Sequence, residues 1–219
     1  MAYGALKDES LFCCEGSEGD VIGKVTILGS DAVDDIRLHC PQITEELSAV
    51  ESFVYGYTGN DELWGSREPD CDDHLYGGDD NDTLWGGDGN DTLLGGGSND
   101  FLHGGDGIDH IEGGYGYDDI WGDAGVDFLY GDFETGSCSG TCTDRIKGGS
   151  ENDYIDGGEG NDELCGETGT DSLYGGSEND KLYGGAEDDA VIDGGAGDDD
   201  CEDDDPVSCL ITTRIACSW

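Results

Sequence analysis

The chain is nearly without positive charge: 8 Lys and Arg stand against 54 Asp and Glu in 219 residues, a formal net charge of −46. With no basic patch to displace counterions from phosphates or to meet anionic headgroups, nucleic acid and membrane surfaces are excluded as partners. Long apolar runs are missing too, which excludes a transmembrane helix. The opening "MAYGALKDESLFCC" has no hydrophobic core segment, so an export signal is expected to have been removed or to lie elsewhere. Apolar residues make up only 34% of the chain, too little for a conventional two-layer core. Catalytic motifs are also absent: there is no H-E-x-x-H and no G-x-S-x-G, and His39, His74, His103 and His110 share no ligand spacing. Acid pairs occur everywhere and single out none, so a non-catalytic protein is expected.

What remains is glycine, 41 residues of it, and aspartate, which both disfavour helix and strand. Their arrangement is periodic. Fifteen units of nine residues run from Gly56 to Glu202, interrupted near 66–72, at 132–143 and by one residue at Asp193. Every unit starts with Gly and has Asp at its sixth place; the eighth place is aliphatic from Leu63 to Val191 and Cys in the last unit, Cys201. An acidic disordered linker would share this composition but not this register.

Three residues with an apolar one in the middle make a short strand, and the six Gly- and Asp-rich residues before them make a turn. Two units then close one turn of a parallel solenoid about 4.8 Å per turn, giving an all-β coil of about 7–8 turns around a column of Leu and Ile. So strong an anion repels itself when compact, and a cation is expected to complete the fold. Degenerate units extend upstream: "GSDAVDDIR" places Asp34 and Ile36 in phase, and Asp20 with Ile22 is a further candidate.

Stretches such as "GGDGNDTLL", "GGDGIDHIE" and "GGEGNDELC" resemble the G-G-x-G-x-D-x-U-x repeat of the RTX, or hemolysin-type, calcium-binding family over about two thirds of the chain. The resemblance implies a right-handed parallel β-roll with Ca2+ held between turns. Calcium suits the residues independently: it takes six to eight oxygens, main-chain carbonyls included, and glycine lets a loop aim those carbonyls. The expected ligands are Asp61, Asp73, Asp82, Asp91, Asp100, Asp109, Asp118, Asp127, Asp153, Asp162, Asp171, Asp180, Asp189 and Asp199, with Asp144 of the interrupted unit left aside. Pairs such as Asp82 with Asp100, or Asp91 with Asp109, would clamp adjacent turns, for at most about thirteen ions.

The pattern departs at the second place in Tyr57, Ser66, Asp123, Asp132 and Glu167, and at the fourth in Asp80, Ser98, Glu151, Glu178 and Glu187. An EF-hand is excluded by the missing Glu at the loop's twelfth place and the missing flanking helices.

Ten cysteines, an even number without paired C-x2-C knuckles, favour disulfides over zinc and so an extracellular or cell-surface location. The local candidate pairs are Cys138 with Cys142 and Cys201 with Cys209. These cysteines, and a tail of only 17 residues after Glu202, set the chain apart from the family's secreted toxins and proteases.

The ninth place faces outward. One row reads Trp64, Trp85, His103, Trp121, Lys147, Cys165, Tyr183; the other reads Tyr76, Leu94, Glu112, Tyr130, Asp156, Tyr174, Ile192. Trp64, Trp85 and Trp121 form either a flat strip for extracellular glycan or a ladder that covers the thin sheet. An ice-binding version is weak, because the seventh place is too mixed for a regular small polar array.

The expected organisation is an N-terminal capping region with degenerate repeats (1–55), the β-roll (56–202), and a C-terminal cap or assembly strand (203–219). The expected function is a calcium-binding structural or surface protein, with end-to-end self-assembly into a fibre as an extension. A glycan-binding module and a repeat domain of a larger secreted enzyme are the alternatives.

Overall fold

Each nonapeptide folds into one short strand and one tight turn, and the aliphatic residue is the only side chain of the strand that points inward. In Thr92–Gly97, for example, Leu93 is fully buried between half-buried Thr92 and Leu94. A computed structural model describes residues 9–12, 24–30, 32–39, 50–67, 71–133, 142–186 and 188–202. Among them are nineteen strands and no helix, from Glu9–Phe12 to Asp200–Glu202.

Alternate strands fall into two sheets, ten odd-numbered strands in one and nine even-numbered in the other, each ordered by sequence. Every strand pair is parallel, and in the uninterrupted units partners are eighteen residues apart: Leu84 beside Leu102, Leu93 beside Ile111. This is a parallel β-solenoid of about eight turns. The aliphatic column from Leu63 to Leu182 is fully buried between the sheets.

Most of the strands are longer than three residues. Pairing continues through the two glycines and the third place, as at Gly96 beside Gly114 and Gly97 beside Tyr115, leaving only places four to six for the turn. Glycine serves here as a strand residue, because neighbouring main chains approach too closely for a Cβ.

The described part of residues 1–55 continues both sheets: Ile27 and Ile36 join the core, and Asp35–His39 pairs with Glu62–Trp64. Asp34 is 1% exposed and in phase, while Asp20 and Ile22 lie outside the described residues.

One register differs from the sequence expectation. Ile192, not Val191, enters the column at 5% exposure, Val191 pairs with Ser172, and Asp193 takes the outward ninth place beside Tyr174. The extra residue is Ala190, whose N–H shares the Asp171 carbonyl with that of Val191. A one-residue shift turns each side chain to the other face. The aliphatic residue here keeps its fixed distance from the following Gly194-Gly195, where a Cβ on Gly194 would stand 2.5 Å from Asp199 Cβ.

Candidate metal centres between the turns

The fifteen sixth-place aspartates stand in two rows, one along each edge where the coil turns. Asp61, Asp82, Asp100, Asp118, Asp144, Asp162, Asp180 and Asp199 form one row; Asp73, Asp91, Asp109, Asp127, Asp153, Asp171 and Asp189 form the other. Within a row each Oδ1 accepts the main-chain N–H of the aspartate one turn earlier, at 2.7 Å from Asp82 N to Asp100 Oδ1 and 2.8 Å from Asp91 N to Asp109 Oδ1. Asp144, left aside on sequence grounds, is in line: its Oδ1 accepts from Asp118 N at 2.8 Å.

The second oxygen is the informative one. Oδ2 of Asp61, Asp82, Asp91, Asp100, Asp109, Asp118, Asp127, Asp144, Asp153, Asp162 and Asp180 is buried with no hydrogen-bond partner among the described residues. A repeated orphan of this kind needs an explanation, since a buried polar group without a partner is costly. Asp73 is different: its Oδ1 accepts the hydroxyl of Ser52 and its Oδ2 the Ser66 N–H at 2.6 Å, so each of its oxygens already accepts a hydrogen bond from the protein.

Main-chain carbonyls surround the orphans. A Cβ on Gly95, at place one, would stand 2.5 Å from Asp100 Oδ2 and 2.6 Å from the Gly113 carbonyl oxygen. At place two, Gly96 has φ +116° and lies against the Gly78 carbonyl; at place four, Gly89 has φ +129° and lies against that of Cys71. Both conformations belong to glycine.

Yet seven of the residues that replace glycine keep φ near +73° to +85°: Tyr57, Asp123 and Glu167 at place two, and Asp80, Ser98, Glu151 and Glu178 at place four. The loop backbone therefore survives most departures from the repeat. Glu187 lies outside the described residues.

Burial, reinforced by neighbouring carboxylates, raises the Asp91 and Asp144 carboxyls to about 9 and those of Asp100, Asp153 and Asp162 to about 8. Such groups stay ionised at neutral pH only beside a positive charge. Among the described residues no three His, Cys, Asp or Glu side chains converge on one point. A side-chain cage for zinc or copper is therefore absent there, and the donors on offer are oxygens, carboxylate and carbonyl, which suit a hard cation.

A second ladder went unread in the sequence. Asn at place five accepts the N–H of the following turn: Asn99 N to Asn81 Oδ1, Ile108 N to Asn90 Oδ1 and Thr170 N to Asn152 Oδ1, each 2.9 Å. It runs opposite to the aspartate ladder, so each turn is tied both forward and back. The recurrent "ND" in the sequence is its signal.

The outward row is a face-to-face stack. Ring centroids are 4.9 Å apart for Trp64 and Trp85, 4.3 Å for Trp85 and His103, and 4.7 Å for His103 and Trp121, with interplanar angles of 8°, 11° and 0°. Arg37 lies over the far face of Trp64. The rings spend their faces on one another, so what they turn outward is edges and not a flat platform. His103 also meets Asp123 at 2.8 Å, His110 meets Glu112, and His74 stacks on Phe53, so these three histidines do not converge.

Of the candidate disulfide residues, Cys138 and Cys209 lie outside the described residues, Cys142 is buried, and Cys201 is buried at the end of the aliphatic column. A family model built of four copies of the RTX calcium-binding nonapeptide repeat matches residues 52–70, 72–102, 103–135, 143–173 and 166–201, more than half of the chain. No curated protein matches it.

Proposed function

The chain belongs to the RTX calcium-binding nonapeptide-repeat family, and from that premise we propose that it is an extracellular, non-catalytic structural protein whose coil is completed by calcium along both rows of turns. The observation that carries this reading is the run of buried Oδ2 atoms without hydrogen-bond partners, each set beside glycine and main-chain carbonyls. Bound calcium would satisfy these oxygens and offset the repulsion between neighbouring aspartates. Because the hydrogen bonds at Asp73 already engage both its oxygens, the first position of that row is the weakest candidate.

Disulfides among the ten cysteines, favoured by their even number, would belong with an oxidising compartment. No helix among the described residues is long and apolar enough to cross a membrane. End-to-end assembly into a fibre extends the same reading to the coil's ends. Electron microscopy of calcium-loaded protein tests it, and only monodisperse particles at high concentration would count against it.

The central experiment is far-ultraviolet circular dichroism of the oxidised, chelator-stripped protein during a calcium titration, with magnesium as control. A cooperative gain of β structure specific to calcium is expected. A spectrum already β-rich in chelator and indifferent to calcium would assign the fold to its hydrogen-bond ladders and disulfides instead.

A further inference from the structure

The two rows of aspartates begin differently from how they continue. Asp34 and Asp73 are the first described aspartates of their rows, 1% and 0% exposed, and neither leaves its Oδ2 without a partner. Each Oδ2 accepts, at 2.6 Å, the N–H of the second-place residue of its own unit. In both units that residue is serine, Ser30 for Asp34 and Ser66 for Asp73. Hydroxyls add to this: Ser30 Oγ donates to Asp34 Oδ1 at 3.3 Å, and Ser52 Oγ donates to Asp73 Oδ1. Ser52, fully buried and beside Asp73 in register, stands at the sixth place of its turn, where the later turns carry aspartate.

Other residues at the second place do not do this. Tyr57 and Asp123 also replace glycine there, with φ of +80° and +75°, and Oδ2 of the aspartates in their own units, Asp61 and Asp127, stays orphaned. Ser30 and Ser66 are not among the residues with positive φ. Asp132 shares that trait, yet its side chain accepts from Glu159 N and Asp144 Oδ2 stays orphaned, so it is the N–H bond to the carboxylate that sets the serines apart.

The same end of the coil carries the longest of the described strands. Val50–Thr58 and Cys71–Asp79, nine residues each, are paired from Val50 beside Cys71 to Thr58 beside Asp79, and so continue through places four to six, where later units turn. On their outer face Phe53 stacks on His74 at 4.3 Å and Tyr55 on Tyr76 at 4.5 Å; on the inner face Val54 and Leu75 are fully buried.

We propose that serine closes this end of the coil in place of calcium, and that the paired strands Val50–Thr58 and Cys71–Asp79 are a calcium-independent seed on which the ion completes the later turns. The inference rests on the calcium reading above for those later turns. Hydrogen bonds to a charged acceptor are the stronger kind, and the N–H and hydroxyl donors here occupy oxygens that elsewhere are left for a cation. In a stack whose units contact only their neighbours, a first turn is harder to form than one added to an existing turn. A preformed end removes that step, and the ion then adds turns in one direction, from Asp61 in one row and Asp91 in the other.

The test is hydrogen exchange read by mass spectrometry on the oxidised full chain, in chelator and in saturating calcium chloride. In chelator, peptides covering Val50–Thr58 and Cys71–Asp79 should exchange at least about tenfold more slowly than those covering Thr92–Gly97 and Ser172–Ser177, and calcium should protect all four. Ser52→Asp, which restores the sixth-place carboxylate, should abolish the protection in chelator and regain it with calcium. If S52D stays unprotected even in calcium, Ser52→Ala decides: loss of the hydroxyl should speed exchange at this end in chelator about tenfold, while Ser172→Ala changes nothing there. Equal exchange of all four strands in chelator, or protection there that S52D and S52A leave intact, would overturn the proposal and leave the calcium reading standing. No gain of protection with calcium in any strand would defeat both.

Discussion

The triple glycine at 95–97 offers three adjacent substitutions whose outcomes should differ sharply. Gly95 has an ordinary backbone conformation, so Gly95→Ala is opposed by space alone: the new methyl would stand 2.5 Å from Asp100 Oδ2 and 2.6 Å from the Gly113 carbonyl oxygen. Ordinary contact at such a carbon begins near 3.4 Å. Neither atom can yield cheaply. The carboxylate is held by the Asp82 N–H at 2.7 Å, and the carbonyl belongs to the main chain of the next turn. Overpacking against fixed atoms costs up to about 3 kcal/mol, which at this chain length lowers Tm by up to about 6–12 °C.

Gly97→Ala is the opposite case, since its nearest atom is the Gly78 carbonyl oxygen at 3.9 Å and its φ is not positive. Its loss of unfolded-state entropy should leave Tm unchanged or raise it by about 1–3 °C. Gly96→Ala combines φ +116° with overlap on the Gly78 carbonyl and should be the worst of the three. Thermal melts at saturating calcium, followed by circular dichroism, rank the variants. Equal melting temperatures for G95A and G97A would refute the close approach on which the metal-site geometry depends.

Acid should fold the metal-free protein. Folded-state carboxyls raised to about 6 at Asp127 and about 9 at Asp91 lie above their unfolded value, so their stabilising contribution is complete below about pH 4 and is lost as pH rises through 6 to 9. Circular dichroism in chelator should show more β structure at pH 4 than at pH 8, and the reverse order would refute this. Trp85→Ala removes a ring stacked on both faces and should cost about 1–2 kcal/mol in a denaturant titration. Retention of the triple Trp64, Trp85 and Trp121 alanine variant on immobilised polysaccharide should equal that of wild type; loss of retention would revive the glycan strip. Ile192→Thr should destabilise by about 2 kcal/mol and Val191→Thr by much less, the opposite order refuting the shifted register.

Much of the coil was legible because one period encodes it. A unit of nine residues with one aliphatic side chain can bury that side chain only against copies of itself, so the phase of Leu84, Leu93 and Leu102 dictates alternate sheets. What could not be read depends on distances across turns. The glycines looked like turn residues because period and composition do not reveal that neighbouring main chains pair through them. The sequence places Val191 and Ile192 equally well, and only the spacing to Gly194 decides between them. Asp73 reads like every other sixth-place aspartate, yet Ser52, twenty-one residues earlier and outside the regular units, takes up its oxygen.

The departures from glycine make the same point about cause. A non-glycine residue in the left-handed region costs on the order of 1 kcal/mol, and seven of them hold it here. Such strain persists only where the surroundings fix the backbone more firmly than the residue's own preference does. Here the surroundings are two opposed hydrogen-bond ladders, Asn-to-later-turn at the fifth place and Asp-to-earlier-turn at the sixth, directly after the fourth. None of the seven is β-branched, the kind of side chain least tolerant of that conformation. The left-handed conformation by itself therefore does not demand glycine at these places, while the glycine at place one, pressed against a carboxylate and a carbonyl, is a steric requirement. All fifteen units obey the second rule and only some the first, as expected if the close approach at place one is what brings the oxygens of neighbouring turns within reach of a shared cation.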